Sequence, residues 1–198
     1  MLILVGYKYS KITDHLGSSI KTENGKAKIE YSVGNVENKT GRRLLDAYHL
    51  LDENFMLLYG DNYWPIEYSQ MTAQFADSGK KVQTTVFSNF DGTGEYGLEN
   101  NIEVTSSGVV KRYDKSRKSD GLNGVDIGYF LLSKSSFNSN IEGNISFEED
   151  ILPSLVAVGE VGAYVTDEQY YYITDAKSLK SYEDYASKTG LKPDLLGH

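Results

Sequence analysis

Short apolar runs alternate with stretches of helical periodicity along almost the whole chain, and this alternation limits the fold more than any other feature. Leu2-Ile3-Leu4-Val5 is a continuous apolar run closed by Gly6, the pattern of a strand covered on both faces. Ser10 is placed to cap a short helix over Lys11–Leu16, which Gly17 stops. Lys28–Val33 alternates polar and apolar residues as a second strand, and Arg42–Leu51 carries Leu44, Leu45, Ala47, Tyr48 and Leu51 at helical spacing. Phe55–Tyr59 is apolar throughout and reads as a third, central strand; a helix over Ile66–Ser78 ends at Gly79, and Val82–Phe87 is a fourth strand. Ile102–Thr105 and Val109–Tyr113 flank Ser106-Ser107-Gly108 as a hairpin. Gly128–Leu132 is a further strand, Glu148–Val158 a helix, Gly162–Val165 and Tyr170–Ile173 short strands, and Ser178–Ala186 the last helix. Strands alternating with helices predict α/β layering on a mixed, mostly parallel sheet, with an antiparallel insertion around residues 99–115.

The 198 residues fit one domain, and 39% hydrophobic residues suffice for its core. The domain is expected over residues 1–188, followed by a fraying tail over 189–198 that holds Gly190, Pro193 and Gly197. Twenty basic against 28 acidic residues give a net charge of −8, which argues against nucleic acid and anionic membranes as partners. The absence of cysteine excludes disulfides, thiolate metal sites and a cysteine nucleophile. With three histidines, a metal would need oxygen ligands, which suits Mg²⁺. Leu2–Val5 is too short to span a bilayer and runs into Gly6-Tyr7-Lys8 rather than a cleavage site, so a cytoplasmic location is expected.

The sharpest chemical feature is the run Phe55–Tyr59 entering Gly60-Asp61-Asn62. In open α/β sheets, ligands bind beyond the carboxyl ends of strands; a glycine there admits a ligand to the backbone, and an aspartate offers a carboxylate to a divalent ion. The same three residues are also turn formers. Gly121-Leu122-Asn123-Gly124-Val125 leads into Asp126 either as a ligand-facing loop or as an ordinary turn. His15 and His49 have no triad-like company, and Tyr170-Tyr171-Tyr172 reads as half-buried sheet or as a stacking surface.

Several stretches match one another's order in a known family. They are Val5-Gly6-Tyr7, the Lys28–Val33 strand, Leu50 through Asn62 with Leu57-Leu58-Tyr59-Gly60-Asp61 at its heart, Asp114-Lys115-Ser116, Asp126 through Leu132, and Phe147-Glu148-Glu149-Asp150-Ile151-Leu152-Pro153. From Gly6 to about Tyr185 the chain resembles the sugar-1-phosphate nucleotidylyltransferases, and within them the heptose-1-phosphate guanylyltransferase branch. The resemblance implies a Rossmann-like three-layer sandwich that joins a nucleoside triphosphate to a sugar 1-phosphate, with Mg²⁺, and releases pyrophosphate. It implies Asp61 as catalytic metal ligand, with Gly60 and Asn62 beside the substrate. Asp114, Lys115 and Asp126 would contact the sugar and its phosphate, and Thr40, Gly41 and Arg42 the nucleotide. Asp114 and Lys115 also fit a solvated charge cluster with Lys111, Arg112, Arg117 and Lys118.

Three departures temper the activity expected. The family's Gly-rich loop belongs to a βα unit ahead of the strand matched by Leu2–Val5, so the domain is expected to be N-terminally shortened, with an exposed edge inviting a homodimer. The segment beside the base is Lys39-Thr40-Gly41-Arg42-Arg43-Leu44, keeping only Thr40 and Gly41; its arginines are either a phosphate contact or the exposed first turn of a helix. The family's second metal aspartate aligns with Tyr172, and neither Asp175 nor Asp167 is in register to replace it. The expectation is a domain of this kind with weak or no transfer activity; the alternative is a non-catalytic sugar- or nucleotide-binding or regulatory module of the same fold.

Overall fold

Residues 1–22, 25–138 and 140–191 are described by the structure, a computed structural model. The chain opens with β1 (Leu2–Val5), α1 (Tyr9–Leu16), β2 (Ser19–Thr22), β3 (Gly25–Lys28) and β4 (Glu30–Val33). The strand expected over Lys28–Val33 is divided at the buried Ile29: β3 pairs back on β2, whereas β4 runs parallel to β1. Ser10 lies inside α1; the chain enters that helix from Lys8, whose left-handed backbone (φ 50°) makes the turn instead of a side-chain cap.

Next come α2 (Thr40–Asp46), a 3₁₀ turn (Tyr48–Leu50), β5 (Asn54–Leu58), β6 (Asn62–Tyr63) and α3 (Tyr68–Ser78), the last stopped by Gly79 in the left-handed conformation (φ 62°). β7 (Val82–Phe87) follows, then the hairpin of β8 (Ile102–Val104) and β9 (Val110–Tyr113), and the long β10 (Val125–Ser133). A π-type turn (Phe147–Ile151) leads into α4 (Leu152–Ala157), β11 (Val161–Thr166), β12 (Tyr171–Tyr172) and α5 (Ala176–Thr189). Of the tail, Gly190 closes α5, and residues 192–198 lie outside the described residues. No described helix is long and apolar enough to cross a membrane.

The main sheet is mixed and has the order β11-β7-β10-β5. β11 runs parallel to β7, and β10 is antiparallel to both of its neighbours. β7 is buried along its entire length, and the two-residue period of its side chains explains the layering. Val82 and Val86 point to one side, where Phe130, Leu132, Val161 and Ala163 join them with Leu44, Phe147 and Leu152. Phe87 points to the other, with Ile127, Tyr129 and Leu131 of β10 and Met71 of α3. Helices thus cover both faces.

β5 is an edge of this sheet, a correction to its expected central place. The reason is physical: Phe55 and Leu57 belong to the first core and Met56 to the second. A continuous apolar run reports cover on both faces, not a neighbour on both sides.

Candidate functional site

At the rim of the first core, five polar side chains from distant parts of the chain converge. Thr40 opens α2, Tyr59 follows β5, Tyr113 ends β9, Asp126 begins β10, and Glu148 lies in the π-type turn. Thr40 Oγ1 accepts from Phe147 N at 2.9 Å and lies 3.5 Å from Glu148 Oε2. Asp126 Oδ1 accepts from Thr84 Oγ1 at 2.7 Å and from Gly128 N at 3.1 Å, while Asn101 Oδ1 receives the Asp126 N–H at 2.8 Å. Tyr59 Oη is buried and makes no hydrogen bond of good geometry among the described residues, although the Thr40 side chain lies near enough to oppose the rise of its pKa.

The local geometry depends on an irregularity in β10. Its pairing with β7 steps from Asp126↔Val86 to Phe130↔Thr84, so three residues of β10 stand opposite one of β7. Within the bulge Gly128 has φ 76°, and a Cβ there would lie 2.5 Å from Tyr59 Cδ2. Only glycine both adopts that backbone and leaves room for the tyrosine ring. Because an even number of residues is inserted, Asp126 still faces the first core.

Burial dominates the electrostatics. It pushes the Asp126 carboxyl up to about 6, opposed by the hydrogen bonds from Thr84 and Gly128. Burial, and then the charges of Glu148 and Asp126, raise the Tyr59 hydroxyl well above the usual phenol range; burial and the same two carboxylates raise Tyr113. The tyrosines are therefore neutral donors next to carboxylate acceptors, a lining suited to a polyhydroxyl ligand.

The loop 114–119 lies beside this cluster, with Lys115 against Glu148. Both Asp114 oxygens are occupied: Oδ1 accepts from Ser116 N and Oγ, and Oδ2 from Lys118 N, Ser119 N and Ser119 Oγ, at 2.6–3.1 Å. These bonds hold its carboxyl far below the usual range, and they make Asp114 the organiser of its loop rather than the free sugar contact expected. Lys115 sits between Glu148 (3.8 Å) and Glu149 (3.5 Å), more than half exposed.

Asp61 lies at the exposed turn between β5 and β6. Its carbonyl accepts from Ile173 N at 2.8 Å, which fastens the turn to β12. The Glu95 carboxyl is pushed up by burial, opposed by a hydrogen bond with Thr174, and raised to a lesser degree by the charge of Asp61. A Cβ added to Gly60 would meet nothing within 4 Å, so the approach is open. Asn62, expected to face a substrate, instead donates from Nδ2 to Ile127 O at 2.9 Å and ties β6 to β10. No group of three or more His, Asp or Glu placed to hold a metal occurs among the described residues.

The residues at or near the position of the second carboxylate are otherwise engaged. Tyr172 packs on Tyr170 in the second core, Asp175 caps α5 through Ser178 N, and Asp167 accepts from Ser88 Oγ. Of the expected nucleotide contacts, only Thr40 faces the pocket. Arg42 is bound to Asp46 Oδ1 through Nε (2.8 Å) and Nη2 (2.6 Å). Gly41 permits close packing, since a Cβ there would lie 2.9 Å from Ile145 O. Arg43 donates to the carbonyls of Val5, Asn35 and Val36, so both arginines are engaged within the protein rather than idle on a helix turn.

Sequence reasoning passed over Tyr59, Tyr113, Glu148 and Glu95. Three of them were within reach: Tyr59 lies inside the Leu57–Asp61 match, Tyr113 immediately precedes Asp114-Lys115, and Glu148 stands in the Phe147–Pro153 stretch. Glu95 carried no signal, being one acidic residue in a Gly-rich loop.

No protein-family model and no curated protein sequence matches the chain. Solved structures do. HddC from Yersinia pseudotuberculosis aligns with a TM-score of 0.74 at 20% identity, over 93% of this chain and 77% of that one, and a second structure of it is a complex with GMP-PN. A putative glucose-1-phosphate thymidylyltransferase from Bacillus anthracis, in complex with a sucrose, aligns with 0.75 at 14% identity over 93% and 75%. The inositol-1-phosphate CTP transferase from T. maritima gives 0.67 at 18% over 92% and 74%. What these likenesses establish is architecture: the chain has the Rossmann-like α/β fold of sugar-phosphate nucleotidyltransferases.

Proposed function

We propose that this chain is a sugar-1-phosphate nucleotidylyltransferase-type domain that binds a sugar 1-phosphate in the Thr40–Tyr59–Asp126–Glu148 pocket and transfers a nucleotidyl group to it slowly. One observation carries the reading: the buried, partnerless Tyr59 hydroxyl set among carboxylates at a strand end of this fold. A buried polar atom without a partner is uncommon and calls for an explanation, and among the four such atoms of the described residues Tyr59 Oη is the one set among carboxylates. Sugar hydroxyls can accept from Tyr59 and donate to Asp126 and Glu148. Neighbours of the same fold carry names that specify sugar or inositol phosphates.

The residues around Asp61 fit Mg²⁺ in the manner of a phosphate-bridging ion, which takes one or two carboxylates and leaves its other positions to water and phosphates. Asp61, with Glu95 beside it, would hold that ion, whose part is to neutralise charge on the phosphates. The protein's own share is to orient the sugar phosphate and keep the pocket partly dry. Slow transfer follows from the engaged Arg42 and from Tyr172 standing in the place of a second carboxylate. Those same two features favour the second reading, a module that binds sugar phosphate without transferring to it.

The test is titration calorimetry with a panel of sugar 1-phosphates, followed by pyrophosphate release in the presence of each nucleoside triphosphate and Mg²⁺. Binding of at least one sugar 1-phosphate, lost in Tyr59→Leu, with slow release of pyrophosphate that disappears in Asp61→Ala, is the expected result. Binding without any release selects the second reading. No binding across the panel overturns both.

A further inference from the structure

The geometry points to Arg117, rather than Lys115, as the residue that anchors the phosphate group of a phosphomonoester in this cleft. This inference rests on the sugar-phosphate reading above and names the cation that reading leaves open.

Of the basic cluster 111–118, most members are accounted for. Lys111 and Arg112 share Glu103 at 2.8 and 3.8 Å, Lys115 is placed between Glu148 and Glu149, and Lys118 is exposed. Arg117 is half-buried and takes part in none of the ion pairs among the described residues. Its guanidinium lies over the Tyr96 ring, 4.1 Å from the centroid, and its Nη1 donates to Glu99 O at 3.1 Å. A ring face and a neutral carbonyl fix the fork without cancelling its charge, and the remaining donors stay free for a bidentate contact.

The backbone adds a second, independent indication. Arg117 has φ 60°, a conformation that a bulky residue rarely adopts unless its surroundings impose it. Here Asp114 imposes it, because its five hydrogen bonds from Ser116, Lys118 and Ser119 wind the loop on both sides of Arg117. Tyr96 and Glu99 belong to the Gly92–Gly97 loop region, itself fastened when Asn89 bonds Gly94 N and Gly97 O and when Tyr170 Oη accepts from Glu95 N. Two braced loops therefore meet at one guanidinium that forms none of the ion pairs among the described residues.

Its position suits a phosphate. Asn101 accepts from Asp114 N through its carbonyl and from Asp126 N through its side chain, both at 2.8 Å, so the loop that carries Arg117 is fastened next to Asp126. Lys115 would have to leave two glutamates to meet a phosphate.

Inorganic phosphate titrated into ¹⁵N-labelled protein should shift the Arg117 Nε–Hε resonance, assigned by its disappearance in Arg117→Lys. By calorimetry, Arg117→Ala should weaken glucose 1-phosphate binding about 10- to 100-fold while leaving glucose unchanged. Lys115→Ala should change it less than about threefold, as expected for an exposed ion-pair partner. Weakening by Lys115→Ala but not by Arg117→Ala, or no phosphate-induced shift at Arg117, overturns the inference and leaves the sugar-phosphate reading intact. A phosphate shift at Arg117 without binding of any sugar 1-phosphate upholds the anion site and overturns that reading instead.

Discussion

Replacing Asp126 by asparagine removes a charge that the native state holds at a disadvantage. Its carboxyl is raised to about 6, chiefly by burial. A folded-state pKa above the unfolded one means that the native protein binds the proton more tightly. The associated stability is complete below about pH 4 and is lost as pH rises to about 6. Spread over that window at about 1.4 kcal/mol per pH unit, the ionised carboxylate costs the native state about 2–3 kcal/mol at neutral pH. Asp126 is partly exposed, so the lower end applies. Asparagine keeps an Oδ1 acceptor for Thr84 and Gly128, so Asp126→Asn should gain about 2 kcal/mol at pH 7.5, or about 4–8 °C in Tm. Urea unfolding of both proteins at pH 4, 5, 6 and 7.5 reads the effect as a difference that grows with pH and levels off above 6. Other carboxylates, such as Asp114, titrate equally in both proteins and drop out of that difference. A variant less stable than the parent at pH 7.5, or a difference independent of pH, would refute the reasoning. A gain in stability accompanied by weaker sugar 1-phosphate binding is the pattern of a residue kept for function rather than for the fold.

Gly128→Ala places a Cβ 2.5 Å from the Tyr59 ring on a backbone at φ 76°, and should lower stability by about 2–4 kcal/mol in denaturant melts, with near-ultraviolet dichroism reporting the displaced tyrosine. Arg43→Ala removes three hydrogen bonds to the carbonyls of Val5, Asn35 and Val36; it should cost about 2–3 kcal/mol and speed amide exchange in the β1–β4 pair more than in β7.

Much of the architecture was legible because period and punctuation are local properties. β7, the β8–β9 hairpin and the Gly79 stop fall where alternation, Ser-Ser-Gly and a terminal glycine place them. Whatever depended on partners far along the chain was not legible. Residues 55–58 announce their apolar faces but not that one flank is open. Arg42 and Arg43 look alike in sequence, yet one finds Asp46 four residues on and the other the end of β1, 38 residues back. The same holds for the site. Asp126, Thr40 and Lys115 were named from motifs, and all three lie near Glu148. Asp114 also lies in such a motif, but its neighbours Ser116 and Ser119 claim it. Arg117, lost among five basic residues, is distinguished only by a left-handed backbone and an aromatic ring about twenty residues upstream.

The bulge in β10 has a consequence for how such a cleft can be gained or lost. Opposite one residue of β7 stand Ile127, Gly128 and Tyr129, two more than a regular ladder would hold. Excising a pair of them would restore a regular ladder with every remaining side chain on its original face, at the cost of Ile127 or Tyr129 from the second core. Excising a single one would turn Asp126 and Val125 inside out. Length changes at this point therefore keep the two faces of the sheet sorted only in twos.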